Sequence, residues 1–272
     1  MQKTALRLRA EKKSIGFVPT MGALHAGHQS LMKIARAAND VVVVSIFVNP
    51  TQFGPGEDFE KYPRTLKEDL DKCAAVGVDI VFNPEAGSMY APDQSTFVEV
   101  LKLTDNLCGM SRPGHFRGVA TVVCKLLNIV QPTRAYFGLK DYQQLQVIKR
   151  MTRDLFIPVE IVPVEIFREP DGLAMSSRNR YLSPEERTDA LVLKEALDLF
   201  RQRVKEGERN AMTLIKEMME LITEVPSTEI DYVSIVDAGT LEDVATIEGK
   251  VVAALAVKVG NTRLIDNAVV QV

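Results

Sequence analysis

Residues 15–28 read Ile15-Gly16-Phe17-Val18-Pro19-Thr20-Met21-Gly22-Ala23-Leu24-His25-Ala26-Gly27-His28. The apolar start of this stretch predicts a strand over Ile15–Val18, and the apolar spacing that follows it predicts a helix over His28–Ala38. Free N–H groups and the positive end of the helix dipole attract anions at such a strand-to-helix junction. Gly22 and Gly27 carry no Cβ, so that a phosphate can approach the main chain closely. The stretch therefore predicts a nucleotide phosphate site.

Length and composition are those of a globular protein with one large or two modest domains. The chain has 272 residues, of which 46% are hydrophobic and 25% are charged. A net charge of −3 argues against general nucleic-acid binding, which usually needs a basic surface. The sequence shows no apolar run long enough to span a bilayer and no signal-peptide core at its start. Three cysteines without a paired motif favour a reduced, cytoplasmic compartment.

Strand-like and helix-like segments alternate through the first part of the chain. The continuous β-branched run Val41–Val48 is typical of a central parallel strand that is buried on both faces. The other predicted elements are the strands Asp79–Phe82, Ala135–Phe137 and Val159–Val164 and the helices Leu66–Val76, Gly118–Val130 and Asp141–Leu155. This alternation predicts an α/β fold with a Rossmann-like, doubly wound parallel sheet, which binds ligands beyond the carboxyl ends of its strands.

The alternation stops after about Arg168, beside the turn-rich stretch Glu169–Gly172. Ser183 and Glu186 form a predicted capping box around Pro184, which starts a long helix. The elements predicted beyond the turn are helices from Ser183 to about Lys205 and from Asn210 to before Pro226, and strands over Ile230–Val236 and Val251–Val259. We expect a first domain over residues 1–167 and a smaller C-terminal α+β domain over residues 168–272.

Two polar clusters could bind phosphate groups. His25 and His28 could donate hydrogen bonds to phosphates. They could also be structural residues near a helix cap, or metal ligands, although a histidine pair supplies too few ligands. Ser176, Ser177 and Arg178 carry two hydroxyl groups and a guanidinium that suit phosphate oxygens. The alternative for this second cluster is a solvated loop that leads into a helix.

Three further groups follow predicted strands or lie in loops. Lys140 could meet a polyphosphate as a point charge, and Asp141 could contact ribose, although a glycine turn with an N-cap Asp is the alternative. Gln52 and Gln144 could orient a carboxylate and leave it nucleophilic, or could be ordinary surface glutamines. Residues 111–119 form a basic, Gly/Pro-containing loop that either closes over anionic groups or is an ordinary loop.

Taken together, these segments resemble the pantothenate synthetase (pantoate–β-alanine ligase) family. That family belongs to the nucleotidyltransferase superfamily with HIGH and KMSKS signatures. The resemblance covers the chain from about residue 15 to the C-terminus. The matching segments, in the family's order, are Pro19–His28, Val48–Gly54, Lys61–Thr65, Arg112–Val119, Tyr136–Asp141, Asp171–Asn179 and Val259–Asn267.

The resemblance implies an ATP-dependent, AMP-forming ligase that condenses pantoate with β-alanine through a pantoyl adenylate and releases pyrophosphate. It implies pantoate binding by Gln52 and Gln144, and β-alanine binding by Gln52. The catalytic residues that it implies are His25, His28, Lys140 and Arg178. The ATP-binding residues that it implies are Met21, Gly22, Ala23, Leu24, His25, Ala26, Gly27, His28, Gly138, Leu139, Lys140, Asp141, Phe167 (through its backbone), Met175, Ser176, Ser177 and Arg178.

The resemblance also sets expectations for proton transfer, metal and assembly. His28 matches a residue usually assigned as a proton donor, which we interpret as a hydrogen-bond donor because adenylation needs little proton transfer. The ATP chemistry implies Mg²⁺, and Glu68 or Asp69 is our hypothesis for a nearby carboxylate. The family suggests a homodimer. We expect the two histidines and Ser176–Arg178 to converge on one triphosphate.

Two other functions are consistent with the same residues. The first is another adenylyl- or cytidylyl-transferase of the superfamily, which would surround its acceptor with side chains other than Gln52 and Gln144. The second is a nucleotide-sensing domain that binds ATP without turnover. Pyrophosphate release that requires pantoate separates both alternatives from the ligase.

Overall fold

The structure, a computed structural model, describes residues 1–272. It divides into two compact units, each made of several chain segments. The first unit comprises Met1–Leu101, Arg112–Leu139 and Gln144–Glu165, and the second comprises Lys102–Ser111, Lys140–Gln143 and Ile166–Val272. The predicted domain boundary between residues 167 and 168 stays a prediction. The sequence pattern gave no indication that residues 102–111 and 140–143 group with the C-terminal unit.

The first unit is built on a five-stranded parallel sheet with strand order β3-β2-β1-β4-β5. Its strands are β1 (Ile15–Thr20), β2 (Val41–Ile46), β3 (Ile80–Phe82), β4 (Arg134–Gly138) and β5 (Glu160–Val164). The parallel, helix-flanked sheet confirms the predicted α/β class. Thr20 pairs with Ile46 at the last register position of β1 and β2, so that the loops after these two strands start side by side. That edge is where parallel α/β sheets bind ligands.

Helices connect and cover the strands. The helices are α1 (Gln2–Ala10), α2 (Ala26–Ala38), α3 (Leu66–Ala74), α4 (Ala86–Met89), α5 (Cys108–Ser111), α6 (His115–Val130), α7 (Tyr142–Asp154), α8 (Pro184–Asp189), α9 (Val192–Lys205) and α10 (Ala211–Thr223). Met32 and Ala35 of α2 pack on Val42 and Val44 of β2 in one buried cluster. None of the ten helices has the length and apolar character that crossing a bilayer requires.

The second unit has a three-stranded antiparallel sheet in the order β6-β7-β8. Its strands are β6 (Thr228–Asp237), β7 (Lys250–Val259) and β8 (Thr262–Gln271). Phe200 of α9 and Leu214 of α10 pack with Val251 and Ala253 of β7 in the core of this unit. The smaller α+β architecture predicted for the C-terminal part is therefore present.

The α8–α9 region and strand β8 of this unit differ from the sequence prediction. The helix predicted from Ser183 to about Lys205 is interrupted at Ala190 and Leu191, so that α8 and α9 are separate. The capping box at its start is present, because Ser183 Oγ accepts from Glu186 N and Glu186 Oε2 accepts from Ser183 N. Strand β8 was not predicted, because the polar pair Asp266-Asn267 interrupts its apolar alternation.

Candidate active site

The two histidines lie at the carboxyl edge of the first sheet, where β1 leads into α2. His25 is the N-cap of α2, and its ring centroid lies 4.0 Å from that of His28. The backbone N–H of His25 donates to His28 Nδ1 at 3.3 Å. Since Nδ1 accepts this bond, the proton of the neutral His28 ring sits on Nε2. His28 is therefore a hydrogen-bond donor at the positive end of a helix.

The turn before the histidines has an unusual backbone that a buried carboxylate supports. Gly22 and Ala23 both have positive φ angles, of 85° and 49°. The left-handed conformation costs a non-glycine residue about 1–2 kcal/mol. Asp69 of α3 offsets this cost, because its Oδ2 accepts from Ala23 N at 2.9 Å and its Oδ1 accepts from Leu24 N at 2.7 Å. Thr65 Oγ1 also donates to Asp69 Oδ2 at 3.3 Å.

The contacts of Asp69 and Glu68 do not fit the magnesium hypothesis. Asp69 is 0% exposed, and both its oxygens already accept hydrogen bonds within the protein. Glu68 lies on the exposed side of α3, 3.8 Å from Lys72 Nζ. The chain has no group of three or more His, Cys, Asp or Glu side chains that could hold a metal ion. Asp69 is a structural anchor of the histidine turn.

The amide of Gln52 has a fixed orientation. Gln52 ends a short 3₁₀ helix that follows β2, and its Oε1 accepts from Asn49 Nδ2 at 3.0 Å. Its Nε2 therefore points the other way and contacts Met21 Sδ at 3.1 Å, in the turn that leads to the histidines. Asn49 is 1% exposed, and its Oδ1 accepts from Tyr90 Oη at 2.6 Å. Burial raises the pKa of Tyr90, so that its hydroxyl stays a neutral donor.

Asn49 is the functional neighbour that sequence reasoning missed. A sequence signal was present, since Asn49 directly follows the predicted strand Val41–Val48 and belongs to the segment that matches the family. A buried amide that donates to another amide cannot be read from sequence spacing, however. Gln144, the second predicted carboxylate-binding residue, lies half-buried in the first turn of α7.

The basic segment predicted as a loop over residues 111–119 enters α6 at His115, and it binds the backbone of Gln52 there. His115 Nδ1 donates to Gln52 O at 2.8 Å, and His115 Nε2 accepts from Arg112 at 3.1 Å, because a guanidinium can only donate. Arg112 also binds both carboxylate oxygens of Glu57, at 2.6 and 2.7 Å. The sequence left open whether this loop closes over anionic groups or is an ordinary loop, and in the structure its Arg112 binds the carboxylate of Glu57.

The Arg112–Glu57 ion pair resists acid. Burial raises the pKa of the Glu57 carboxyl, but the hydrogen bonds and charge of Arg112 outweigh that effect and hold the pKa below its ordinary value of 4.5. A depressed carboxyl pKa contributes stability above the unfolded-state pKa, and this contribution is lost as pH falls through the folded-state value. The ion pair between Arg112 and Glu57 therefore persists from neutral pH down to about the ordinary pKa of Glu, and it holds the loop over that range.

The other predicted ATP residues lie in the second unit, apart from Gly138, the last residue of β4, and Leu139, which follows it. Met175 N donates to Phe167 O at 2.9 Å, within a hairpin that the bridge between Arg168 and Ala174 closes. Ser176 then caps a 3₁₀ helix over Ser177–Tyr181 by accepting from Arg178 N at 3.2 Å. The hairpin thus brings Phe167 together with Met175 and leads directly into the Ser-Ser-Arg segment.

Lys140 and Asp141 lie in a 3₁₀ helix between β4 and α7. Lys140 Nζ lies 3.9 Å from Asp141 Oδ1, and the Lys140 carbonyl accepts from Asn267 Nδ2 at 2.9 Å. The histidines and both glutamines belong to the first unit, whereas Lys140 and Ser176–Arg178 belong to the second. Their shared contact with one triphosphate stays a prediction.

Comparison with known proteins identifies the family. The family model described as pantoate–β-alanine ligase matches residues 1–269. The pantothenate synthetase of Moorella thermoacetica is 60% identical over 259 residues, which cover 95% of this chain and 92% of that protein.

Two solved structures agree with this match. The crystal structure of pantothenate synthetase from Thermus thermophilus superimposes with a TM-score of 0.92 and 47% identity, covering 97% of this chain and 96% of that one. The pantoate–β-alanine ligase from Francisella tularensis, complexed with β-γ ATP and β-alanine, gives a TM-score of 0.77 and 36% identity, covering 98% and 94%. The family resemblance deduced from the motifs is thereby confirmed, and the chain belongs to the pantoate–β-alanine ligase family.

Proposed function

We propose that this chain, an ATP-dependent ligase by its family, joins pantoate to β-alanine in two steps. A carboxylate oxygen of pantoate attacks the α-phosphorus of ATP, the bond from that phosphorus to the β-phosphate oxygen breaks, and pyrophosphate leaves. The β-alanine amine then attacks the acyl carbon of the pantoyl adenylate, AMP leaves, and a proton is released. The products are pantothenate, AMP and pyrophosphate.

The observation that carries this proposal is the contact between Gln52 and Met21. It places an amide N–H donor beside the turn that ends at His25 and His28. A carboxylate bound by that amide would lie next to groups that donate hydrogen bonds to phosphate oxygens. An attack on phosphorus requires this proximity. A neutral amide orients the carboxylate without the loss of nucleophilicity that an arginine partner would cause. We assign pantoate to Gln52 and Gln144, and β-alanine to Gln52.

The first step is a problem of charge stabilisation. Pantoate is already ionised at neutral pH, so the protein must stabilise charge on the α- and β-phosphate oxygens in the transition state. We propose that His25, His28, Lys140 and Arg178 supply this stabilisation. The residues proposed to contact ATP in all are Met21–His28, Gly138–Asp141, Phe167 and Met175–Arg178.

Magnesium fits this scheme as part of the substrate. Mg²⁺ in nucleotide sites is commonly held by substrate phosphates and few protein groups. The engagement of Asp69 with Ala23 and Leu24 leaves the phosphates as the proposed ligands. We also propose a homodimer, and a reducing cytoplasmic compartment that agrees with three unpaired cysteines.

Substrate dependence tests the proposal. With ATP and Mg²⁺, pyrophosphate release is expected only when pantoate is present, and AMP release is expected to require β-alanine as well. Replacing ATP with CTP, or pantoate with other carboxylates, should abolish release. Pyrophosphate release without pantoate, or ATP binding without turnover, would contradict the ligase and favour the other transferase or the nucleotide sensor, respectively.

Gly118 offers a structural test of the pantoate assignment. A Cβ at this position in α6 would lie 2.2 Å from Thr51 O and 2.7 Å from Gln52 Cα, so that the backbone beside Gln52 would have to move. We expect Gly118→Ala to lower the free energy of unfolding by about 1–3 kcal/mol. We also expect the KM for pantoate to rise more than the KM for ATP, relative to wild type, in steady-state measurements of pyrophosphate release.

The matched control for Gly118 is Gly87 in the short helix α4. A Cβ at Gly87 meets no atom within 4 Å. Gly87→Ala should leave both KM values unchanged and keep or slightly raise the stability. An unchanged pantoate KM in Gly118→Ala would argue against Gln52 as the pantoate residue.

A further inference from the structure

Strand β8 carries two consecutive buried polar residues, Asp266 and Asn267. Successive residues of a strand point to opposite faces of the sheet. Asp266 shares its parity with Leu264 and Ala268, which belong to the core formed with α9 and α10. Asn267 therefore points to the other face. Buried polar side chains in the middle of a strand are costly unless they have partners, and both residues have specific ones.

Asn267 binds the segment that carries Lys140. Its Nδ2 donates to the Lys140 carbonyl at 2.9 Å, and Asn267 is 4% exposed. The bond fixes the main chain from which the Lys140 ammonium extends. It does not involve the ammonium group itself, so Asn267 can orient Lys140 without competing for its charge.

Asp266 binds the hairpin that leads into Ser176–Arg178. Its two oxygens accept from Arg168 Nη1 at 2.7 Å and from Arg168 Nη2 at 3.0 Å. Arg168 Nη1 also donates across the hairpin to Gly172 O at 3.1 Å. A bidentate Arg–carboxylate pair fixes orientation as well as distance. With 21% of the Arg168 side chain and 2% of the Asp266 side chain exposed, the pair is largely shielded from solvent.

We propose that β8 is the common support of the two ATP-binding segments in the second unit. Asp266 and Asn267 are positioning residues that hold Ser176–Arg178 and Lys140, respectively. Their Cα atoms are about 3.8 Å apart, as in any adjacent pair. The two segments are therefore held by neighbouring residues of one strand. The inference rests on the proposed contact of these segments with ATP. It assigns a positioning role to Asp266 and Asn267, which do not themselves contact a substrate.

The first experiment replaces Asn267 with Ala. We expect about a tenfold to hundredfold loss in kcat/KM for ATP, because a small misplacement of a phosphate-binding group is costly. The KM for pantoate should stay within about twofold of wild type, a split that general loss of structure would not give. Binding of a non-hydrolysable ATP analogue, measured by calorimetry, should weaken in parallel.

Asn106 provides the matched control. Its Nδ2 also donates to a backbone carbonyl of the second unit, that of Leu241, at 3.1 Å. Asn106→Ala should lose comparable stability and keep the ATP kinetics of wild type. Equal loss of ATP affinity in both variants would overturn the positioning role.

Two further variants make the test independent of folding losses. Asp266→Asn keeps the size of the side chain and removes the charge that Arg168 binds, and it should lower analogue affinity without changing the pantoate KM. In a Lys140→Ala background, Asn267→Ala should weaken analogue binding by less than it does alone, because it acts through Lys140. Full additivity would overturn the proposal.

Failure of the proposed function would look different. A wild-type protein that binds the ATP analogue but releases no pyrophosphate with pantoate would refute the ligase assignment. The analogue-binding comparison of Asn267→Ala with Asn106→Ala would still decide the role of β8 in that case.

Discussion

Replacing His28 with Ala is expected to lower kcat for pantoate-dependent pyrophosphate release by about 10²–10³-fold, or about 3–4 kcal/mol of transition-state stabilisation. The reason is the donor geometry at the start of α2. His28 Nδ1 accepts from His25 N, which leaves Nε2 as the donor for phosphate oxygens. Rapid-quench measurement of the first turnover separates this chemical step from product release.

His28→Gln is the informative companion variant. Its amide N–H can donate near the position of the imidazole Nε2 and should recover part of the lost rate, whereas a true proton-transfer role would not be rescued by an amide. Thermal unfolding should change little in either variant, because the bond that His28 makes to His25 is long, at 3.3 Å. Full turnover in His28→Ala would refute the proposed mechanism.

Replacing Asp69 with Ala is expected to lower the free energy of unfolding by about 3–5 kcal/mol, since hydrogen bonds to charged groups contribute about 1.5–3 kcal/mol each. The variant leaves the N–H groups of Ala23 and Leu24 without their acceptor in the interior. The left-handed backbone at Ala23 also loses its support. Urea unfolding at neutral pH without magnesium measures this loss directly.

Asp71 is the matched control on the same helix, because it is an exposed aspartate of α3. Asp71→Ala should change the stability by less than about 0.5 kcal/mol. The same pair of variants decides the magnesium hypothesis. A magnesium ligand at position 69 would change the magnesium dependence of the reaction and leave metal-free stability intact, and that result would contradict the anchoring role.

The elements that sequence reasoning identified are those with strong local signals. The β-branched run Val41–Val48 and the capping box of Ser183 and Glu186 are examples, because each depends on neighbours in the chain. Strand β8 was missed for the opposite reason. Asp266 and Asn267 break its apolar pattern, and the contacts that make them acceptable there come from residues about 100 positions away or more. Predictions of secondary structure from local sequence patterns fail most often at such sites.

The same distinction applies to the candidate site. The histidine turn, Gln52 and the Ser-Ser-Arg segment were found because their residue types and positions after strands indicate phosphate and carboxylate binding. Asn49 and Asp69 act through other protein groups, and an Asn or Asp of that kind looks in sequence like any surface residue. For Asp69 the sequence suggested a cation as the partner, whereas the contacts that the structure shows are with backbone N–H groups.

Gln52 is held at both ends, its side chain by Asn49 and its carbonyl by His115, and this has a consequence for redesigning the enzyme toward other acids. Gln52 belongs to a polar network in which Tyr90 donates to Asn49 Oδ1 and Arg112 donates to the Gln52 carbonyl. Exchanging Gln52 alone for a side chain without an acceptor would leave Asn49 Nδ2 with the Gly118 carbonyl as its remaining acceptor. Libraries aimed at new acceptor acids should therefore vary positions 49, 52 and 90 together.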